Sequence, residues 1–263
     1  MSGSGRWADL APRIGSAIVM VTIGILAVWA GADVFHIFVA AVCGAMIWEL
    51  LRMLNGQSGP LVIAIACTAA LSLILAIHLP SVYGLPVLAV PVLLGVVTLR
   101  QHRLVCGAFM GLVLLAGLEM AIVRDDFGLV WIIWLIVIVI VSDVAGYFAG
   151  RTLGGPKFWP KVSPKKTWSG TVAGWLGAAV VGLVFAMLQD TSLLLVPYSV
   201  LVAFAAQMGD IAESAVKRMV GVKDSSTLIP GHGGFLDRFD GMLGASFFVL
   251  VIAGLCGLPP GAV

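Results

Sequence analysis

The sequence predicts an all-α, polytopic integral membrane protein with about nine transmembrane helices. Three observations predict it. The 263 residues are 60% hydrophobic and only 11% charged, with mean hydropathy +1.10, whereas a soluble domain is roughly a quarter charged. The apolar residues form continuous runs of about the length that crosses a bilayer, not alternating ones, which argues for helices over barrel strands. The basic residues then fall almost entirely on one side of the alternating loops.

The runs centre on Ile14–Ala32, Ile37–Leu54, Leu61–Leu79, Tyr83–Leu99, Leu104–Val123, Leu129–Gly150, Trp168–Leu188, Leu193–Ile211 and Gly241–Leu258. Arg6 and Arg13 ahead of the first run resemble a signal peptide. The spanning length of that run and the spans after it favour a retained first helix. With nine spans, one side receives Arg6, Arg13, Arg52, Arg100, Arg103, Arg151, Lys157, Lys161, Lys165, Lys166, Lys217, Arg218, Lys223 and Arg238, and the other only Arg124. Such a bias places the N-terminus in the cytoplasm and the C-terminus outside. The outer loops, near Asp33, Pro80–Val82, Arg124–Asp126 and Asp190, leave no room for an outer domain. The expected division is 1–125 as N-terminal transmembrane helices (about five) and 126–263 as a C-terminal catalytic region with cytoplasmic loops 151–167 and 213–240. Short loops point to a bacterial inner (plasma) membrane.

A net charge of +2 gives no case for a nucleic-acid partner. Cys43, Cys67, Cys106 and Cys256 lack metal-ligand spacing and read as small buried hydrophobes. The tryptophans read mostly as an interfacial belt. Glu119 reads as an acid reaching water near a helix end, and Glu49 as either an ion pair with Arg52 or a support for a site.

Three constellations carry the chemistry. Asp210, Glu213, Ser214 and Lys217 share one helix face. Asp210 lies ~25 Å along a helix from Leu193, near the inner boundary, where an acid is costly unless paired or bound to a cation. A solvated helix end is the plainer alternative. Next come Lys223 and Asp224, then Pro230-Gly231-His232-Gly233-Gly234, then Asp237, Arg238 and Asp240. Glycines allow close backbone approach to an oxyanion; the alternative is a glycine turn with capping acids. The third is Asp143, Tyr147 and Arg151 with Ser163-Pro164-Lys165-Lys166-Thr167, a rigid turn with two ammonium groups before a helix start, which suits anions. A loop that merely sets topology is the alternative there. Carboxylates with interleaved cations are the ingredients of a Mg²⁺–polyphosphate site.

The run from Ser214 through Lys217-Arg218 and Lys223-Asp224 to Pro230-Gly231-His232-Gly233-Gly234-Phe235-Leu236-Asp237-Arg238-Phe239-Asp240 resembles the signature of the phosphatidate cytidylyltransferase family, the CDP-diacylglycerol synthases. The lead-in Gly209-Asp210-Ile211-Ala212-Glu213 and the Ser163–Thr167 string resemble it too. Two departures are Ser169, where the family has Glu, and Val144, where it has Thr. The resemblance implies transfer of the cytidylyl group of CTP to phosphatidic acid, giving CDP-diacylglycerol and pyrophosphate for phospholipid synthesis. It implies Mg²⁺ as cofactor, with a monovalent cation such as K⁺ as an optional companion, and leaves a homodimer open. Asp210 and Asp237 are the expected metal ligands. Lys217, Lys223, Asp224, His232, Arg238 and Asp240 are the expected catalytic residues. Ser163, Lys165, Lys166, Thr167, Ser214, Arg218, Gly233, Gly234 and Asp143 are the expected substrate-binding residues. The rivals are a CTP-dependent polyprenol kinase and a cation-coupled transporter, although a transporter would place its charges nearer the bilayer midplane.

Overall fold

The computed structural model describes residues 10–56 and 58–256. Arg6 and the expected end of the last span at Leu258 lie outside them. Among the described residues nine helices are long and apolar enough to cross a membrane, and the protein is a multi-pass membrane protein. They are α1 (Leu10–Ala30), α2 (Ala32–Asn55), α3 (Pro60–His78), α4 (Ser81–Thr98), α5 (Arg103–Ile122), α6 (Leu129–Thr152), α7 (Trp168–Leu188), α8 (Leu195–Met219) and α9 (Leu236–Cys256). A π-helical turn, Val123–Phe127, follows α5. At 1.5 Å per residue, the 21–25 residues of α6, α7 and α8 extend roughly 31–37 Å, enough for a hydrocarbon core of about 30 Å.

Two differences from the apolar runs bear on the site. α8 continues past Ile211 to Met219, and α9 begins at Leu236, ahead of Gly241. Hydropathy stops at the first charges, whereas the backbone hydrogen bonding of a helix does not. The Ser163–Thr167 string is a strand, β2, paired antiparallel with β1 (Lys157–Trp159) in the register Lys157↔Thr167 and Trp159↔Ser163. Thr167 then caps α7, its Oγ1 accepting from Gly170 N at 3.2 Å.

The chain divides into two compact units, one of residues 1–114 and 220–239, the other of 115–219 and 240–263. In the first, α2 turns Phe35, Val39, Ile47 and Leu50 inward and packs on α3 through Ile65, Ala69 and Leu73. Gly44 lets the two helices close up: a Cβ there would meet Ala66 O at 3.2 Å. Loop 220–235 belongs to this unit. In the second, α6, α7 and α8 pack on one another, with Trp134, Leu135, Ile138, Ala178, Val202 and Ala203 buried. In lipid, apolar burial supplies little drive between helices; close van der Waals packing and interhelical hydrogen bonds hold them. Trp134 illustrates both, stacking on Tyr198 while its Nε1 donates to Ser199 Oγ at 3.1 Å.

Three minor expectations are corrected. Trp131 and Trp134 are packed inside, not placed in a belt. Cys67 is exposed on α3, although Cys43 and Cys106 are buried. Glu119 does not reach water at a helix end: it is 2% exposed.

Candidate active site

In the second unit, charged residues from four elements meet. β2 delivers Lys166, whose Nζ donates to Asp210 Oδ2 at 2.7 Å and to Gln207 O at 3.2 Å. Asp210 stands on α8, one turn after Gln207, whose Nε2 donates to Ser142 Oγ on α6 and Thr171 O on α7. Asp143 follows Ser142 and feels the charges of Asp210 and Lys166. Asp240 on α9 feels the charges of Asp210, Asp143 and Lys217, and its Oδ1 accepts from Gly241 N at 2.7 Å. One turn beyond Asp210, Glu213 pairs with Lys217 at 2.6 Å, almost wholly out of solvent. Ser214 is half-buried on α8, and Arg218 is exposed at its end.

A glycine sets this geometry. A Cβ on Gly209 would meet Asp240 O and lie 2.9 Å from Gly244 N, so α8 and α9 touch backbone to backbone beside Asp210 and carry Asp240 in with them. Asp143, Asp210, Asp240 and Glu213, with Lys166 paired to Asp210 and Lys217 to Glu213, form an acid-rich cluster at a helix crossing. Such clusters are costly in or near a membrane unless a cation joins them. Of the hairpin residues expected to bind substrate, Lys166 enters the cluster. Thr167 is buried as the α7 cap, Ser163 is half-buried, and Lys165 is exposed.

In the first unit, loop 220–235 and the start of α9 are tied to α2 by Glu49, which is 0% exposed. Its Oε1 accepts from Ser226 Oγ at 2.6 Å and Phe235 N at 3.0 Å. Its Oε2 accepts from Leu236 N at 2.7 Å and lies 3.2 Å from Ser225 Oγ, whose single proton goes to the nearer Asp237. Glu49 thus sits at the α9 N-terminus, where a carboxylate is favoured, while Arg52 lies over the Trp48 ring instead of pairing with Glu49. Asp237 Oδ2 accepts from Ser225 N, Ser225 Oγ and Gly234 N, all at 2.8–2.9 Å. Gly234 admits no side chain: a Cβ would strike Ser225 Oγ and Glu49 Oε1. Gly233 holds φ +83 and closes a bridge with Ile229.

His232 Nδ1 lies 2.9 Å from Ser16 Oγ on α1, which also reaches Arg13 O and Pro230 O. Arg238 Nε donates to His232 O at 2.8 Å. Lys223, Asp224 and Arg238 are exposed. An apolar cavity of about 420 Å³ lies under this loop, lined by Val19, Ile23, Phe38, Val42, Ile229 and Phe239 among others.

Sequence reasoning missed Ser16, Ser225, Ser226 and Gln207 and left Glu49 open. The Ser225-Ser226 pair directly after Asp224, and a lone acid within an apolar helix, were the available signals.

The helices define a multi-pass membrane protein, and the acid-rich cluster is its candidate site. The chain belongs to the cytidylyltransferase family, whose model matches residues 11–256. It is 34% identical over 271 aligned positions to a phosphatidate cytidylyltransferase of Brucella suis, covering 96% of each chain. It is 31% identical to one of Bacillus subtilis, covering 89% of this chain and 94% of the other. It is 46% identical over 123 positions to one of Helicobacter pylori, covering 46% of each. The chain is accordingly a nucleotidyltransferase.

Proposed function

We propose that the protein transfers the cytidylyl group of CTP to phosphatidic acid, releasing pyrophosphate and CDP-diacylglycerol, at the cytoplasmic face of a bacterial inner membrane. The observation that carries it is the cluster of Asp143, Asp210 and Asp240 with Lys166 and Lys217. These are hard oxygen donors beside ammonium groups, the donor set that a Mg–nucleotide requires. Fourteen of the 15 basic residues on one side of the loop pattern support the cytoplasmic placement.

Carboxylate oxygens are the donor type that Mg²⁺ takes. Asp210 with Asp143 and Asp240 is the set proposed to hold it, and Asp237 is the further acid that the sequence nominates. Bound there, Mg²⁺ would neutralise phosphate charge and stabilise the leaving pyrophosphate. In the reaction an oxygen of the lipid phosphate attacks the α-phosphorus of CTP, and the bond from that phosphorus to the bridging oxygen of the β-phosphate breaks. No strong base is required, because a phosphate monoester is largely ionised near pH 7. Catalysis is positioning and charge neutralisation. Lys166, oriented by Asp210 and Gln207 O, presents an ammonium to a phosphate oxygen, and Lys217, oriented by Glu213, presents a second.

Product analysis tests this. Purified protein in detergent with labelled CTP and phosphatidic acid should yield a CDP-lipid and pyrophosphate. Release of CDP with transfer of a single phosphate to a lipid would overturn the proposal in favour of a kinase.

A further inference from the structure

At the end of α2 remote from Glu49, Asp33 and His36 lie one turn apart, and His78 closes α3 beside them. Asp33 and Glu49 are ~24 Å apart along the helix axis, so this group is separate from the loop anchor. One ligand atom from each of Asp33, His36 and His78 falls within 4.8 Å of the others. His78 Nε2 is 3.2 Å from Asp33 Oδ1, and His36 Nδ1 is 3.9 Å from the same oxygen. The imidazoles meet edge to face at 5.3 Å. His36 is backed by protein, with its side chain 8% exposed, while His78 is 49% and Asp33 81% exposed, so one side of the group is open.

A second observation concerns the His78 tautomer. Its Nδ1 lies 2.9 Å from Ile74 O. A carbonyl only accepts, so Nδ1 carries a proton. With Nδ1 holding a proton, the contact between Nε2 and Asp33 Oδ1 is satisfied either by a second ring proton or by a cation shared between the ring lone pair and the carboxylate. A histidine whose other ring nitrogen is tied to a backbone carbonyl is the common arrangement of a metal ligand. Metal bonds of about 2.0–2.1 Å in tetrahedral geometry separate ligand atoms by about 3.3 Å. The His78–Asp33 distance matches that, and the His36–Asp33 distance exceeds it by roughly half an ångström.

We propose that Asp33, His36 and His78 bind one first-row transition-metal dication, Zn²⁺ by preference, with water completing the shell. Two imidazoles and one carboxylate select such a metal over Mg²⁺. The ion ties the start of α2 to the end of α3 and takes no part in cytidylyl transfer.

The test uses full-length protein in detergent, without an oligohistidine tag, stripped with chelator and titrated with Co²⁺. One Co²⁺ per chain should bind, with visible d–d absorption that Zn²⁺ abolishes. Asp33→Asn and His78→Ala should each weaken binding at least tenfold while retaining cytidylyl transfer. NMR of the unmodified protein with labelled histidine reads the site without substitution: Co²⁺ should shift two of the four imidazoles. Absence of the d–d band, unshifted imidazoles, or variants that bind Co²⁺ as the unmodified protein does would overturn the proposal. The three side chains would then be an imidazolium–carboxylate group.

Discussion

Replacing Glu49 with Gln should loosen the loop that carries Lys223 and His232. Glu49 accepts from Ser226 Oγ, Phe235 N and Leu236 N, with Ser225 Oγ a further neighbour at 3.2 Å. The amide keeps one oxygen acceptor and turns an NH₂ toward the donors of the other oxygen. Each oxygen serves one backbone N–H. A hydroxyl can rotate away, but the N–H of Phe235 or Leu236 cannot, and it is left buried without an acceptor. That costs about 1–3 kcal/mol, and loss of the negative charge at the α9 N-terminus adds about 1 kcal/mol, for a total of about 2–4 kcal/mol. Amides that exchange through local opening of the loop should then exchange roughly 30- to 700-fold faster, at about 1.4 kcal/mol per tenfold. Hydrogen-exchange mass spectrometry of the 225–237 peptides measures this, with peptides of α7 as the internal control. Unchanged exchange in those peptides, in a variant that remains folded, would refute the assignment of Glu49 as the loop anchor.

Other consequences follow from the same contacts. Asp210→Asn and Asp240→Asn should each lower turnover at least about 100-fold while the protein remains in the membrane, as read by labelled CTP incorporation and membrane fractionation. Lys166→Met removes the ammonium 2.7 Å from Asp210 and should cost about 10- to 100-fold in kcat/KM. Gly209→Ala drives a Cβ into Asp240 O, and relief requires parting two helix backbones; its thermal midpoint should fall by several degrees or the protein should fail to accumulate, whereas Gly254→Ala, with nothing within 4 Å, should match the unmodified protein. Trp134→Phe leaves Ser199 without its indole donor and should destabilise by about 1 kcal/mol, seen as a small downward shift in detergent melting.

The spans were legible because hydrocarbon demands an unbroken apolar run, and the count of nine, which holds among the described residues, followed from those runs together with the one-sided basic residues. Helix ends were less legible. The apolar run stops at Ile211, but the spacing of Asp210, Glu213 and Lys217 already put them on one helix face, and α8 does continue through them; what the spacing did not give was Lys166 as the partner of Asp210. The β1–β2 hairpin was hidden because Ser163-Pro164-Lys165-Lys166 has turn-like composition, and only its pairing with Lys157–Trp159 makes it a strand. Within the site, residue types were visible but partners were not. Glu49 reaches Ser225, Ser226, Phe235 and Leu236 across 176–187 positions of sequence, and no local pattern encodes that contact. Ser16 beneath His232 was silent for the same reason.

The central claim is that the carboxylates around Asp210 grip a divalent cation together with the nucleotide. Electron paramagnetic resonance of Mn²⁺ added to the purified protein with CTP measures this directly. About one Mn²⁺ per chain should bind in the unmodified protein, and binding should be lost in both Asp210→Asn and Asp240→Asn. Undiminished Mn²⁺ binding in those two variants would contradict the account.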